Sequence, residues 1–458
     1  MYEIYGGNML YLKRKADEYL EIWRKSQDKK PLIIKGARQV GKSETIRRFG
    51  QKNYESFVEI NFALNPELKI ITSQGYTVEN IIKQISLLYP SFKLIPGRTL
   101  LFFDEVQEHP DIVTSFKSFK EDNRYNVIAS GSMLGISNID KISSIPTGNK
   151  TDYIMRSLDF EEFLWAYGYK EDFIDEIFKN IKSHSPFSEA VMEVMNKKFT
   201  EYYILGGMPE IVRNFFERKS FEGTLEKQKQ LMEEYKDDAR KYAVGMDKAR
   251  IVNVLEYIPS QLAKENTKFQ ITKVAKGARF QTYRGCLEWL KDVGIINICH
   301  ALSKPAFPIK NNYEPDKCKI YFADTGLLMG QLGSQIQNAL LSGKDIGRFK
   351  GGLFENIIGE ALVKAGFELV YFKRDKTPLE EDFFVECSNQ IVPVEVKANT
   401  EQSKSLRTLI DSDKYPEITW GIKFAKANVG FANSILTLPH WTAFLLDRLI
   451  NIMVKKQS

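Results

Sequence analysis

Unbroken apolar runs alternate with amphipathic stretches over the first third of the chain. Residues 32–34, 100–103 and 127–129 are apolar throughout, a pattern typical of parallel strands that are covered on both faces. Residues 9–26 carry apolar side chains at helical spacing and predict an amphipathic helix that leads into the first strand. The alternation from residue 31 to about residue 155 therefore predicts an α/β domain with a parallel sheet.

The pattern changes after residue 155 and stays helical as far as residue 250. Beyond that point, two amphipathic helical stretches flank a short helix and turn, and a strand begins after Gly294, which together predict a winged helix. Farther along, one helical stretch precedes several short strands in a second α/β pattern. We therefore predict four parts, at residues 1–155, 156–250, 251–335 and 345–458.

A glycine-rich segment follows the first apolar run and precedes a helical pattern that extends from Lys42 to Phe49. Its spacing, Gly-x4-Gly-Lys-Ser, is that of a phosphate-binding loop (Walker A), and the strand before it and the helix after it are the context that such a loop requires. Lys42 would reach the β- and γ-phosphates of ATP, and Ser43 would offer a hydroxyl to Mg²⁺. The alternative is a glycine turn that binds nothing, against which the flanking strand and helix argue. The predicted nucleotide-binding residues are Gly36, Ala37, Arg38, Gln39, Val40, Gly41, Lys42, Ser43 and Glu44.

Polar residues follow the second and third apolar runs. Asp104 and Glu105 end the second run, where Asp104 would hold Mg²⁺ and Glu105 would orient or deprotonate the attacking water (Walker B). Ser130 and Ser132 end the third run, and a hydroxyl there could touch the γ-phosphate or the attacking water, with Ser130 preferred. The alternative for these serines is a simple turn after a strand.

These motifs together resemble a large family of prokaryotic AAA-type ATPases usually labelled only "ATP-binding protein", whose C-terminal part is a domain of unknown function. Further segments match that family in order, from Leu158-Asp-Phe-Glu-Glu-Phe163 and Gly206-Gly-Met-Pro-Glu210 to Lys319-Ile-Tyr-Phe-Ala-Asp-Thr-Gly326. The resemblance covers nearly the whole chain and implies ATP hydrolysis and a homo-oligomer, such as a hexameric ring. One departure concerns the arginine finger, because Gly148-Asn149 stands where the family has Gly-Arg. Either hydrolysis is slow, or Lys150 or Arg156 substitutes for the arginine.

The last part of the chain resembles the PD-(D/E)xK nuclease fold. Glu395 and Lys397 are two residues apart on a predicted strand and would share one face of it. Asp382 would join them from the neighbouring strand, and Glu355 from the preceding helix could be a fourth group. The resemblance implies a metal site on Asp382 and Glu395, with Lys397 assisting. Glu380 would be a spare ligand, and Glu381 fills a position that is usually apolar.

Basic residues cluster in the predicted winged helix. The residues that could contact nucleic acid are Lys273, Lys276, Arg279 and Arg284. Such contacts would go mostly to phosphates. The equally weighted alternative is a winged-helix unit that serves only for packing.

Composition narrows the class without deciding the function. The net charge of +6 permits DNA binding but does not require it. No apolar run approaches the ~18 residues needed to cross a membrane. Four scattered cysteines indicate free thiols in a reducing compartment. We therefore expect a cytoplasmic protein.

The sequence supports three hypotheses. The preferred one is an ATP-hydrolysing AAA-type protein that acts on duplex or branched DNA, with remodelling or translocation coupled to a metal-dependent nuclease-like domain. The second is a nucleotide-dependent regulatory switch or interaction protein whose nuclease-like domain is catalytically inactive. The third is a DNA-binding ATPase that works through the winged helix alone.

Overall fold

A computed structural model describes most of the chain. The described residues are 10–132, 148–243, 248–263, 269, 271–274, 278–347, 349–374, 377, 379–387 and 390–457. The chain divides into two compact units. We call Lys13–Ser157, with Asp292–Gly294, the N-terminal unit, and Leu158–Lys291 with Ile295–Ser458 the C-terminal unit.

A five-stranded parallel sheet forms the centre of the N-terminal unit. Its strands are β1 (Leu32–Gly36), β2 (Ser56–Asn61), β3 (Thr99–Asp104), β4 (Asn126–Ser132) and β5 (Thr151–Ile154). They lie in the order β2-β3-β4-β1-β5, and every pairing is parallel. The predicted α/β domain with a parallel sheet is therefore confirmed. Because β4 lies between β1 and β3, the ends of these three strands are adjacent.

The described part of this unit contains four α-helices besides the sheet. The helices are α1 (Lys15–Lys25), α2 (Lys42–Asn53), α3 (Val78–Leu88) and α4 (Phe116–Asp122). Helix α1 is shorter than the predicted 9–26 because the backbone of Arg14 is extended; it buries Leu20 and Trp23. Helix α2 continues past the predicted end at Phe49 and includes Gly50. A Cβ on Gly50 would stand 2.2 Å from the ring of Phe57, so the missing side chain lets the helix lie against the sheet.

The C-terminal unit contains helices before, between and after its strands. They are α5 (Phe160–Ala166), α6 (Glu171–Lys182), α7 (Glu189–Leu205), α8 (Pro209–Arg218), α9 (Thr224–Tyr242), α10 (Lys248–Leu262), α11 (Ile271–Val274), α12 (Phe280–Val293), α13 (Thr325–Leu332), α14 (Ser334–Leu341), α15 (Phe349–Lys364), α16 (Lys404–Ile410) and α17 (Leu446–Gln457). Among the described residues, no helix combines the length and the apolar character that crossing a bilayer requires.

Two mixed sheets complete this unit. Their strands are β6 (Ile296–Leu302), β7 (Tyr313–Phe322), β8 (Val370–Lys373), β9 (Glu380–Glu381), β10 (Phe383–Cys387), β11 (Gln390–Val396), β12 (Gly421–Ala425), β13 (Gly430–Ala432) and β14 (Ile435–Pro439). One sheet has the order β7-β6-β8-β9 and the other β10-β11-β12-β14-β13. Strand β6 pairs antiparallel with β7 on one side and parallel with β8 on the other.

Three segments that match the family resemblance meet in one buried junction. The amide of Leu158 donates to the carbonyl of Gly207 at 2.7 Å, and the amide of Gly207 donates to Asp324 Oδ2 at 2.8 Å. A Cβ on Gly207 would stand 2.0 Å from the carbonyl oxygen of Leu158, so only glycine allows this approach. The ammonium of Lys364 also donates to the Leu158 carbonyl, at 2.8 Å. These hydrogen bonds therefore join the backbone segments around Leu158, Gly207 and Asp324.

Candidate functional site

The loop between β1 and α2 has the backbone of a phosphate-binding loop. Gln39 and Gly41 adopt positive φ angles, of 63° and 94°, which turn the chain sharply before Lys42 opens the helix. A Cβ on Gly36 would stand 2.1 Å from the carbonyl oxygen of Met155, so this glycine is required where β1 ends. The helix dipole and the free N–H groups of the first turn favour an anion at this end of α2.

The ammonium of Lys42 lies inside this loop. It donates to the carbonyls of Gly36 at 3.1 Å and Ala37 at 2.8 Å. Burial lowers the pKa of Lys42 to about 8, although the carboxylates of Glu105 and Asp104 favour its charged form. A buried ammonium that donates to two backbone carbonyls is suited to receive phosphate oxygens.

Asp104 is the centre of a polar network at the strand ends. Ser43 Oγ donates to its carboxylate at 3.0 Å, and the side-chain amide of Asn61 donates at 3.0 Å. Ser130 Oγ donates to the same carboxylate from the neighbouring strand β4. Burial raises the pKa of Asp104, while the hydrogen bond from Ser130 opposes that shift. The structure thus brings together three residues that the sequence predicted, Ser43, Asp104 and Ser130.

Glu105 follows Asp104 in an unusual backbone conformation. Its φ of 54° is in the left-handed region, and its amide donates to Asp104 Oδ1 at 3.1 Å. The side chain of Glu105 accepts a hydrogen bond from the amide of Gln107, whose oxygen accepts from the amide N–H of Ser132 at 3.2 Å. A strained residue that persists at a strand end is typical of functional sites.

Two residues of this network are absent from the sequence prediction. Asn61 is the last residue of β2 and lies in register with Asp104 on β3. Gln107 lies in the short helical turn after Glu105. The signal for Asn61 was its position, because a polar residue that ends the neighbouring parallel strand must lie near the carboxylate.

The two substitutes proposed for the arginine finger differ in their surroundings. Lys150 forms an ion pair with Asp152 at 2.6 Å, so its ammonium already has a carboxylate partner. Burial lowers the pKa of Arg156. Residues 133–147, between β4 and these candidates, lie outside the described part of the chain.

Mg²⁺ fits the predicted nucleotide site. Ser43 and Asp104 bring a hydroxyl and a carboxylate oxygen within 3.0 Å of each other, and oxygen ligands are those that Mg²⁺ prefers. These two residues would hold the ion beside the loop that precedes α2.

The predicted carboxylates of the C-terminal unit lie near one another around the start of β10. Asp382 precedes β10, and its Oδ2 accepts from the amide of Val396 at 2.8 Å. Glu395 lies on β11 and forms an ion pair with Lys397 at 2.9 Å. Glu355 lies on α15, where its Oε2 accepts from the hydroxyl of Tyr321 at 2.9 Å.

A lysine that is not among the predicted site residues stands between these carboxylates. The ammonium of Lys319 lies 3.1 Å from Glu380 Oε1, 3.3 Å from Glu355 Oε2 and 3.8 Å from Asp382 Oδ1. Its side chain is 1% exposed. Although burial favours its neutral form, the carboxylates of Glu355, Asp382 and Glu380 raise the pKa of Lys319 well above its usual value.

Glu381 is the least compensated carboxyl group of this cluster. It is fully buried, and neither of its carboxyl oxygens has a hydrogen-bond partner, nor does Oε2 of Glu395. Burial raises the pKa of Glu381 well above its usual value, and the charges of Glu395 and Asp382 act in the same direction. Burial likewise raises the pKa of Asp382 to about 7. Within the described ranges, no three His, Cys, Asp or Glu side chains are arranged to hold a metal ion.

The predicted nucleic-acid contacts lie on and before helix α12. Lys273 and Arg279 are exposed. Arg284 is also exposed but pairs with Glu288 at 3.0 Å, which places a negative charge on the same helix surface. Lys276 lies outside the described residues.

The parallel sheet, the loop after β1 and the acidic end of β3 define the N-terminal unit as an AAA-type P-loop domain. Residues 28–164 match the family model described as "AAA domain". Residues 196–337 and 350–441 match two domains of unknown function, DUF8612 and DUF4143. A search of curated protein sequences finds no match.

Solved structures resemble the chain only loosely. The Walker-type ATPase paby2304 of Pyrococcus abyssi is 16% identical over 70% of this chain and 96% of that one, with a TM-score of 0.44. The Aeropyrum pernix ORC2 protein in its ADP form is 13% identical over 74% and 96%, with a TM-score of 0.33. The Aeropyrum pernix ORC1 protein in complex with DNA is 10% identical over 72% and 91%, with a TM-score of 0.29.

Proposed function

We propose that this chain binds ATP together with Mg²⁺ and hydrolyses it in the N-terminal unit. The observation that carries the proposal is the convergence of Ser43 and Ser130 on the carboxylate of Asp104, beside the loop that holds the ammonium of Lys42. A structural turn would not need a lysine, two hydroxyls and a carboxylate at adjoining strand ends.

Each residue then has a distinct task. Lys42 binds the β- and γ-phosphates in exchange for its two loop carbonyls. Ser43 and Asp104 would hold Mg²⁺, which would supply positive charge beside the phosphates. Glu105 orients the attacking water or accepts its proton, and Ser130 fixes the position of Asp104.

ATP binding and turnover by two variants test this proposal. Lys42→Ala removes the phosphate-binding ammonium and should abolish binding of a fluorescent ATP analogue. Glu105→Gln should keep binding and lower turnover by about 10²–10⁴-fold, the usual contribution of a general base. Glu121→Gln, which changes an exposed carboxylate of the same unit, is the control. Normal turnover in Glu105→Gln, or normal binding in Lys42→Ala, would contradict these roles.

We further propose that the nucleotide cycle acts on DNA through the surface around α12. Lys273 and Arg279 support this proposal because both are exposed on or beside the short helix that precedes α12. Replacing either by alanine should weaken binding to duplex and branched DNA and lower the slope of log K against log salt by about 1 per residue. Lys414→Ala, at another exposed lysine of this unit, is the control. An unchanged salt slope in both variants would direct the search for the DNA surface elsewhere.

The assembly state is a separate part of the proposal. A homo-oligomer remains a prediction that rests on the family resemblance. Mass photometry with and without ATP would test it, and a monomer under both conditions would refute it.

A second candidate function is a nucleotide-dependent switch whose nuclease-like part does not cut. The observation that favours it is the contact of Lys319 with Asp382 and Glu355, because these predicted site carboxylates already face an ammonium that the predicted catalytic set does not include. A cleavage assay distinguishes this switch from a protein whose nuclease-like domain cuts DNA. The assay uses duplex, single-stranded and branched DNA with Mg²⁺ or Mn²⁺, with and without ATP. Cutting that Asp382→Ala abolishes would establish a nuclease and eliminate the switch.

A further inference from the structure

The acidic cluster of the C-terminal unit contains its own cation. Lys319 extends from β7, while its three carboxylate partners come from elsewhere in the chain: Glu355 from α15, Glu380 from β9 and Asp382 from the start of β10. Three separate segments thus meet at one ammonium group, namely β7, α15 and residues 380–382. Such convergence indicates that the lysine is part of how this site is built.

The surroundings of the ammonium confirm that it is enclosed. The Lys319 nitrogen lies 5.0 Å from the ring centre of Tyr371, a distance typical of a cation–π contact. Tyr321 is also fully buried, and its hydroxyl donates to the Glu355 oxygen that faces Lys319. The ammonium therefore has carboxylates on one side and an aromatic ring on another.

Lysine and a divalent metal ion compete for the same oxygens. An ammonium and a carboxylate attract each other strongly when both are shielded from water, and removing one partner leaves an uncompensated buried charge. A divalent ion on Asp382 would stand a few ångströms from the ammonium of Lys319, and the two positive charges would repel each other.

We propose that Lys319 is the resident cation of this cluster and takes the role that a divalent metal has in a nuclease-like site. The C-terminal unit then holds its carboxylates in place without metal and does not cleave DNA. The site ties the β6–β7 hairpin to α15, β9 and β10 through charge. This proposal concerns the C-terminal unit alone and does not depend on the nucleotide site.

Manganese binding to the full chain, without nucleotide, tests the proposal. Electron paramagnetic resonance measures the free Mn²⁺, and the bound Mn²⁺ is the total minus the free ion. The wild type and Asp382→Asn should bind Mn²⁺ equally, because the cluster holds none. Lys319→Ala should gain one site that is at least about a hundredfold tighter than any in the wild type, since the repelling charge is gone. The double variant Lys319→Ala/Asp382→Asn should lose that site again.

A matched control isolates the buried ammonium from lysine in general. Lys373 also pairs with Glu380 but is 38% exposed, so Lys373→Ala should bind Mn²⁺ like the wild type. A folded Lys319→Ala variant that gains no site would overturn the proposal. If Lys319→Ala does not fold, the wild type decides: equal Mn²⁺ binding in the wild type and Asp382→Asn supports the proposal. A wild-type site that Asp382→Asn removes overturns it.

Discussion

Replacing His440 by glutamine should remove much of the acid sensitivity of the C-terminal unit. The imidazole is buried, its ring centre lies 4.3 Å from that of Phe354, and its Nε2 donates to the carbonyl of Lys397 at 2.8 Å. Burial lowers the pKa of His440 to about 4, although the hydrogen bond to Lys397 favours the charged ring. The folded protein therefore needs this histidine neutral.

The sign and size of the effect follow from proton linkage. In the unfolded chain the ring has its usual pKa of about 6.5, so the unfolded state binds the proton more tightly. The stability that the neutral ring allows is complete above pH 6.5 and is lost as the pH falls towards 4. One pKa unit corresponds to about 1.4 kcal/mol, and integration from pH 7 to pH 5 gives a loss of about 2 kcal/mol.

Urea unfolding at several pH values between 7 and 5 measures this loss. The wild type should lose about 2 kcal/mol more than His440→Gln over that interval, whatever the absolute stability of the variant. His184→Gln is the matched control, because that histidine is exposed and lacks the burial that drives the effect. Equal pH slopes in the wild type and His440→Gln would refute the reasoning.

Two further predictions concern the remaining close contacts. Asn61→Ala removes a hydrogen bond to the carboxylate of Asp104. A hydrogen bond to a charged group is typically worth about 1.5–3 kcal/mol, so ATP turnover should fall by about 10–100-fold. Unchanged turnover would show that Asn61 is not part of the site. Gly207→Ala places a Cβ 2.0 Å from the carbonyl oxygen of Leu158 and should lower the midpoint of thermal unfolding markedly. Gly351→Ala is its control, because a Cβ there meets nothing within 4 Å, and equal midpoints in both would contradict the argument.

The sequence predicted those parts of the fold that short-range patterns determine. An apolar run, two glycines and a helical stretch were sufficient to locate β1, the loop and the start of α2. The predicted end of α2 at Phe49 was wrong. Glycine is common just after the end of a helix, but Gly50 lies inside this helix and makes room for the ring of Phe57 from the neighbouring strand. That requirement comes from tertiary packing and leaves no trace in the local pattern.

The site residues also divide into those that local sequence patterns locate and those that only tertiary packing brings together. Ser43, Asp104 and Ser130 each follow a recognisable strand or loop, so their convergence followed from the order of parallel strands. Asn61 could have been found by the same rule, since it ends the strand beside β3. Lys319 could not, because its partners are 36 to 63 residues away in the chain and only the folded arrangement of β7 against α15 and β9 brings them together.

The pairing of β6 with both β7 and β8 bears on how the chain could be divided. The first two strands belong to the predicted winged helix, and β8 belongs to the region that follows residue 345. A fragment that stops between residues 335 and 345 would expose the edge of β6, and unpaired strand edges promote aggregation. The same cut would leave the three carboxylates of the cluster without their lysine. The two regions are therefore poor candidates for separate expression, and a chimaera that exchanges one of them would have to exchange both.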